Sequence, residues 1–164
     1  MKKLTSILLA LCMMSALVLV GAFPTKALAT EGDYGANLAA VEEFNKTHGG
    51  TGKLFAELGF NEEGQEITII TGEVTGATKG ISLLYVAWKA KLSGSTAGEA
   101  LVKGDIEIMP GAEIRTDGRA IEVYNYLRVN GGIITATEAI YSDDTDYSII
   151  FIGGGVITGD IYIK

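Results

Sequence analysis

From Ile67 onward the chain is written in short β-branched runs, apolar and polar residues alternating, broken by Gly and Asp turns. Alternation at period two sends one face of a run to a core and the other to solvent, so these runs predict strands. Apolar pairs recur along them: Ile67 and Ile69, Val86 and Trp88, Ile106 and Ile108, Leu127 and Val129, Ile150 and Ile152, at intervals of 19, 20, 21 and 23 residues. A second set, Val74, Leu92, Ile114, Ile134 and Ile157, is spaced by 18, 22, 20 and 23. A third, Ile81, Leu101, Ile121, Ile140 and Ile161, is spaced by 20, 20, 19 and 21. Three ladders in constant order describe a coil that returns to the same place about every 20 residues. Stacked coils place equivalent side chains in columns roughly 4.8 Å apart, and each coil buries its apolar face against its neighbours. The pattern predicts an all-β parallel β-helix of about five coils over residues 67–164. An antiparallel β-sandwich is the alternative, because Asp117-Gly118 and Asn130-Gly131 are good hairpin dipeptides. A sandwich, however, has no reason to keep three columns at one spacing.

The preceding residues read differently. Asn37 can cap a short helix carrying Leu38, Val41 and Phe44 at helical spacing, and the helix runs out at Thr47-His48-Gly49-Gly50. Lys53 to Gly59 predicts one more helical turn, so residues 30–66 form an expected N-terminal helical cap. Residues 1–29 read as a secretory signal peptide: Lys2 and Lys3, an apolar run from Leu4 to Val20, then the small residues of Ala27-Leu28-Ala29. Secretion, with no stable membrane anchor after cleavage, is the expected destiny. Cleavage removes three of the 13 basic residues, Lys2, Lys3 and Lys26, and none of the 20 acids; what remains is 10 against 20, a net charge of −10. Such a surface repels phosphate backbones, which argues against nucleic acid as a partner. The single cysteine, Cys12, leaves with the signal, so packing and backbone pairing must hold the exported chain.

Several motifs carry a family likeness: Thr75-Gly76-Ala77-Thr78-Lys79-Gly80-Ile81, Val86-Ala87-Trp88-Lys89-Ala90, Gly118-Arg119-Ala120-Ile121, and the run from Asn130 to Tyr141. Over residues 65–164 the chain resembles the exported bacterial β-helix repeat proteins of the pectate-lyase-like superfamily, including those of carbohydrate-binding type. The resemblance implies a right-handed, single-stranded parallel β-helix with a helix capping its first coil. Its motifs are structural repeats and say little about chemistry.

Chemistry is sought on outward positions, which lie between inward ones. Ala87, Glu107, Arg128 and Phe151 fall in one outward column, and Glu122, Tyr141 and Tyr162 in another. Tyr141 and Tyr162, one coil apart and with Tyr124 near, are candidates to offer flat aromatic faces to a sugar ring; ordinary β-formers shielding the sheet is the plain alternative. Glu107 beside Arg128 reads as a surface ion pair. Asp143, Asp144 and Asp146 crowd the longest corner of the repeat and are candidate Ca²⁺ ligands, although the sharp-turn Gly and spaced Glu of an EF-hand are missing. His48 reads as a lone surface imidazole. No cofactor other than Ca²⁺ is indicated, and Arg115, Arg119 and Arg128 stand in no lyase motif. Three functions follow in order: a non-catalytic extracellular module binding a polysaccharide or surface glycan; a structural or adhesive repeat that self-associates through an open C-terminal coil; and a small polysaccharide lyase or hydrolase.

Overall fold

The computed structural model describes residues 31–61, 64–143 and 148–164. Residues 1–29, the expected signal peptide, lie outside them. Helix α1 (Glu31–Thr47) precedes eight strands: β1 (Thr51–Phe60), β2 (Glu66–Ala77), β3 (Ile81–Trp88), β4 (Lys91–Gly94), β5 (Ala100–Ile108), β6 (Glu113–Thr116), β7 (Arg119–Ser142) and β8 (Ile149–Ile163). Every strand pairing from β2 onward is parallel, which excludes the antiparallel sandwich. The chain is a parallel β-helix. Its column Thr68, Val86, Ile106, Leu127, Ile150 has five layers, joined in about four turns.

The second ladder aligns as read, Val74 to Leu92 to Ile114 to Ile134 to Ile157. The first ladder holds from Val86 onward but slips by one residue at its start. Thr68 and Ile70, rather than Ile67 and Ile69, stand under Val86 and Trp88. A slip of one reverses the face, so Ile67 and Ile69 point outward, where Tyr85 and Ala87 join Ile67 in a small outer cluster. In the third ladder Val102 takes the place expected of Leu101, between Ile81 and Ile121. Trp88, Ile108, Ile114 and Ile140 fill the interior with no exposed surface.

The cap is built differently from the expected one. Residues 51–60 form a strand, not a helical turn, and β1 runs antiparallel to β2 over its whole length. The reason is physical: the first coil has an edge whose backbone groups need partners, and an antiparallel strand supplies them. Asn37 does not cap the helix. It lies within α1, buried, and its side chain imitates a strand: Leu84 N–H donates to Asn37 Oδ1 at 2.8 Å and Nδ2 donates to Leu84 O at 2.8 Å. Nδ2 also reaches Thr68 Oγ1 at 3.0 Å. Asn45 does the same for Leu54, accepting from its N–H at 2.9 Å and donating to its carbonyl at 2.8 Å. Val41 and Phe44 enter the core, while Leu38 stays about one third exposed. His48 is buried, not a surface imidazole; it stacks on Phe44 and its Nδ1 accepts from Gly50 N–H at 2.9 Å.

Candidate functional site

Tyr141 and Tyr162 meet as the register requires. Their rings stack at 5.2 Å between centroids and 10° between planes. The opposite face of Tyr141 carries the Arg119 guanidinium, 3.5 Å from the centroid. Arg119 is held there by Glu138 at 2.8 Å and Glu122 at 3.5 Å. Burial opposes the Arg119 charge, but the hydrogen bond and charge of Glu138, with Tyr141 and Glu122, outweigh it and raise the pKa above the ordinary value. Desolvation and then the Asp143 carboxylate push the Tyr141 phenol above its ordinary value, against the opposing pull of Arg119. Tyr124 is exposed at the neighbouring corner and outside this stack, its carbonyl accepting from Ser148 Oγ at 3.3 Å. Both faces of Tyr141 are therefore occupied, and the pair turns ring edges rather than faces to the side of the helix.

At the acidic corner Asp143 pairs with Lys164 at 3.2 Å, which raises the Lys164 pKa. Asp144 and Asp146 lie outside the described residues. Ser142, at the foot of the corner, is buried and shares a hydrogen bond of 2.6 Å with Ser148.

A third place, not singled out from the sequence as a binding site, is a groove on the outer face of the first strand column. The register stacks Ile69, Ala87, Glu107, Arg128 and Phe151, one per layer. Glu107 is the floor. It is only 5% exposed and is no surface ion pair with Arg128; one of its oxygens, Oε1, instead accepts from Tyr126 Oη at 3.3 Å and Tyr85 Oη at 3.4 Å, both long contacts. Burial of a carboxylate without a cation is tolerable where hydroxyl donors meet it.

Local backbone aims those two hydroxyls. Tyr85, Asp105 and Tyr126 each precede the inward residue that opens a layer, Val86, Ile106 and Leu127. Tyr85 has φ 41°, a left-handed conformation that a bulky residue holds only when its surroundings fix it. Asp105 accepts from the backbone N–H of Asn125 at 2.7 Å and of Tyr126 at 3.0 Å, pinning the corner above it. The rings of Tyr85 and Tyr126 then lie 5.9 Å apart over the outer face.

The walls complete the groove. On one side Phe60, 68% exposed, stands at the end of β1, where Asn61 and Gln65 tie the connection to β2 with side-chain and backbone hydrogen bonds. Lys89, Met109 and Asn130, each two residues beyond the column, line the groove as well, together with Arg128 of the column itself. The groove is shallow and open to solvent, a cavity of about 90 Å³, so it seats part of one ring of a longer ligand rather than enclosing a small one. Among the described residues neither Lys89 nor Arg128 has an ion-pair partner; Arg128 leans toward Phe151, 5.7 Å from its centroid.

The sequence ladder put Glu107, Arg128 and Phe151 in one column, and that column is real. Phe60 was invisible to it, since β1 lies outside the repeat. The recurrence of Tyr85, Asp105 and Tyr126 at one offset was the signal that would have marked the groove. No family model, curated protein or solved structure matches the chain.

Proposed function

We propose that the chain is a non-catalytic, extracellular β-helix module that binds carbohydrate on its outward face, at the groove over Glu107. One observation carries this reading: the groove combines an exposed aromatic ring with polar side chains that lack partners. A sugar ring has an apolar C–H face and a rim of hydroxyls. Phe60 and Met109 suit the first. Arg128, Lys89, Asn130 and Glu107 suit the second, donors and an acceptor lining one space. A binding role is preferred over hydrolysis because Glu107 is the single carboxylate among the described residues lining the groove, whereas glycoside hydrolysis commonly uses a pair. The Tyr141 and Tyr162 stack is the poorer platform, its inner ring being covered on both faces.

The test is a titration of the purified protein against neutral and acidic polysaccharides, with and without Ca²⁺. Saturable binding to at least one glycan is expected. Phe60→Ala and Arg128→Ala are each expected to weaken it by about fivefold or more, equivalent to about 1 kcal/mol. Absence of binding across the panel would remove the carbohydrate reading.

A further inference from the structure

The groove over Glu107 reverses the sign of the charge around it. The chain carries 20 acidic against 13 basic residues, a net charge of −7, whereas the described residues lining the groove set Lys89 and Arg128 against the single carboxylate of Glu107. Of the three arginines in the chain, two are already neutralised: Arg115 pairs with Glu113, and Arg119 with Glu122 and Glu138. Lys103 and Lys164 are paired in the same way, with Glu99 and Asp143. Arg128 is the exception among the arginines. Its register neighbour in the preceding layer is Glu107, yet that carboxylate turns to the hydroxyls of Tyr85 and Tyr126 instead. Tyr85 holds its hydroxyl there from a left-handed backbone, φ 41°, a conformation that costs a bulky residue energy.

We infer that the groove selects a glycan ring bearing an anionic group, a carboxylate or a sulfate ester, held by Arg128 and Lys89 together. The inference rests on the carbohydrate reading and adds the charge of the ligand to it. Two like charges lining one shallow hollow repel each other. Neutral ring hydroxyls leave that repulsion in place, and an anion relieves it. Arg128 offers a planar fork of N–H donors that matches a carboxylate or a sulfate, and Lys89 adds a compact point charge. Phe60 and Met109 meet the C–H face of the same ring. Glu107 opposes an anion, but it is buried, hydroxyl donors meet its charge, and the two cations outnumber it. The acidic surface elsewhere repels a polyanion, which confines the attraction to the groove.

Calorimetric titration with matched glycans tests this: alginate, hyaluronate and chondroitin sulfate, each beside its carboxyl-reduced form, and chondroitin sulfate also beside its desulfated form. At least one acidic glycan is expected to bind about tenfold or more tighter than its neutralised counterpart. Loss of that preference on carboxyl reduction assigns a carboxylate as the anchoring group, and loss on desulfation assigns a sulfate. The preference is expected to shrink as salt rises from about 0.05 to 0.5 M, a measurement that needs no variant. Lys89→Gln/Arg128→Gln is expected to abolish it with Trp88 emission unchanged, while Lys79→Gln, an exposed lysine outside the groove, retains it. Equal affinity for acidic and neutralised forms would overturn the inference and leave the carbohydrate reading standing. A preference that survives in the double variant, resists salt or is lost equally in Lys79→Gln would overturn it as well. Binding of no glycan at all would remove both.

Discussion

Arg119 lies over one face of Tyr141 at 3.5 Å from the ring centroid, and Tyr162 covers the other at 5.2 Å. The three groups form a stack that links successive layers near the C-terminal end of the helix. Each contact is a modest attraction, aromatic on one side and cation–π on the other. The stack therefore holds the last layer in place, and its removal is expected to affect stability rather than recognition. Tyr141→Ala/Tyr162→Ala should lower the thermal midpoint by several degrees and leave glycan affinity within twofold of the wild type. Calorimetry and the glycan titration check the two halves separately.

The same corner makes stability fall at alkaline pH. Tyr141 is raised above its ordinary value by desolvation and Asp143, and Lys164 is raised by its hydrogen bond and charge pairing with Asp143. A raised pKa means that the folded state holds its proton where the unfolded chain has lost it. The associated stability is fully present below pH about 10 and is lost as pH climbs through the folded values. A falling thermal midpoint above pH about 10 is expected. Tyr141→Phe, which cannot ionise, should show a shallower fall, and tyrosinate absorbance should show one phenol titrating later in the wild type than in the variant.

At the N-terminal end, Asn37→Ala leaves the partly buried N–H and carbonyl of Leu84 and the buried hydroxyl of Thr68 without their side-chain partner. Water can reach the Leu84 groups but not the Thr68 hydroxyl as readily, so a loss of about 1–3 kcal/mol is expected. Asn45→Ala should cost less, because Asn45 is only half-buried and water can replace it. Urea unfolding followed by the emission of Trp88, the only tryptophan and fully buried, measures both.

Gly104 sits where β5 bends beneath the Tyr126 corner, at φ 133°. A Cβ there would lie 1.9 Å from Leu83 O, a backbone atom that cannot move aside without breaking the ladder. Gly104→Ala is expected to destabilise by roughly 3 kcal/mol or more. Gly98, also at positive φ but with open space around it, is the control; its alanine variant should cost only about 1 kcal/mol of backbone strain. The same urea measurement separates clash from strain.

Where the sequence was legible, one face of a strand was apolar and the other was not. The ladder through Val74, Leu92, Ile114, Ile134 and Ile157 meets that condition, and its register came out whole. The run Ile67-Thr68-Ile69-Ile70 does not, because Tyr85 covers part of the outer face and permits isoleucine there. With apolar residues on both faces, parity is undefined, and the spacing alone leaves the register one residue off. Strand β1 was missed because it has no repeat to align with and its partner, β2, is set by an edge that exists only in three dimensions. Asn37 reads as a helix cap and His48 as a surface imidazole because their burial depends on partners far along the chain, Leu84 and Thr68 for one and Thr78, which donates to the His48 carbonyl, for the other. The groove draws its residues from several successive layers, so the column could be named from the sequence while the hollow beside it could not.

Amide chemical-shift mapping with the tightest oligosaccharide of the panel tests most directly whether the groove over Glu107 is the place of binding. The expected result is a cluster of perturbed signals at Phe60, Lys89, Glu107, Met109, Arg128 and Asn130, saturating with the same affinity as the titration. A cluster at Arg119, Tyr141 and Tyr162 instead, with the groove signals unmoved, would contradict it.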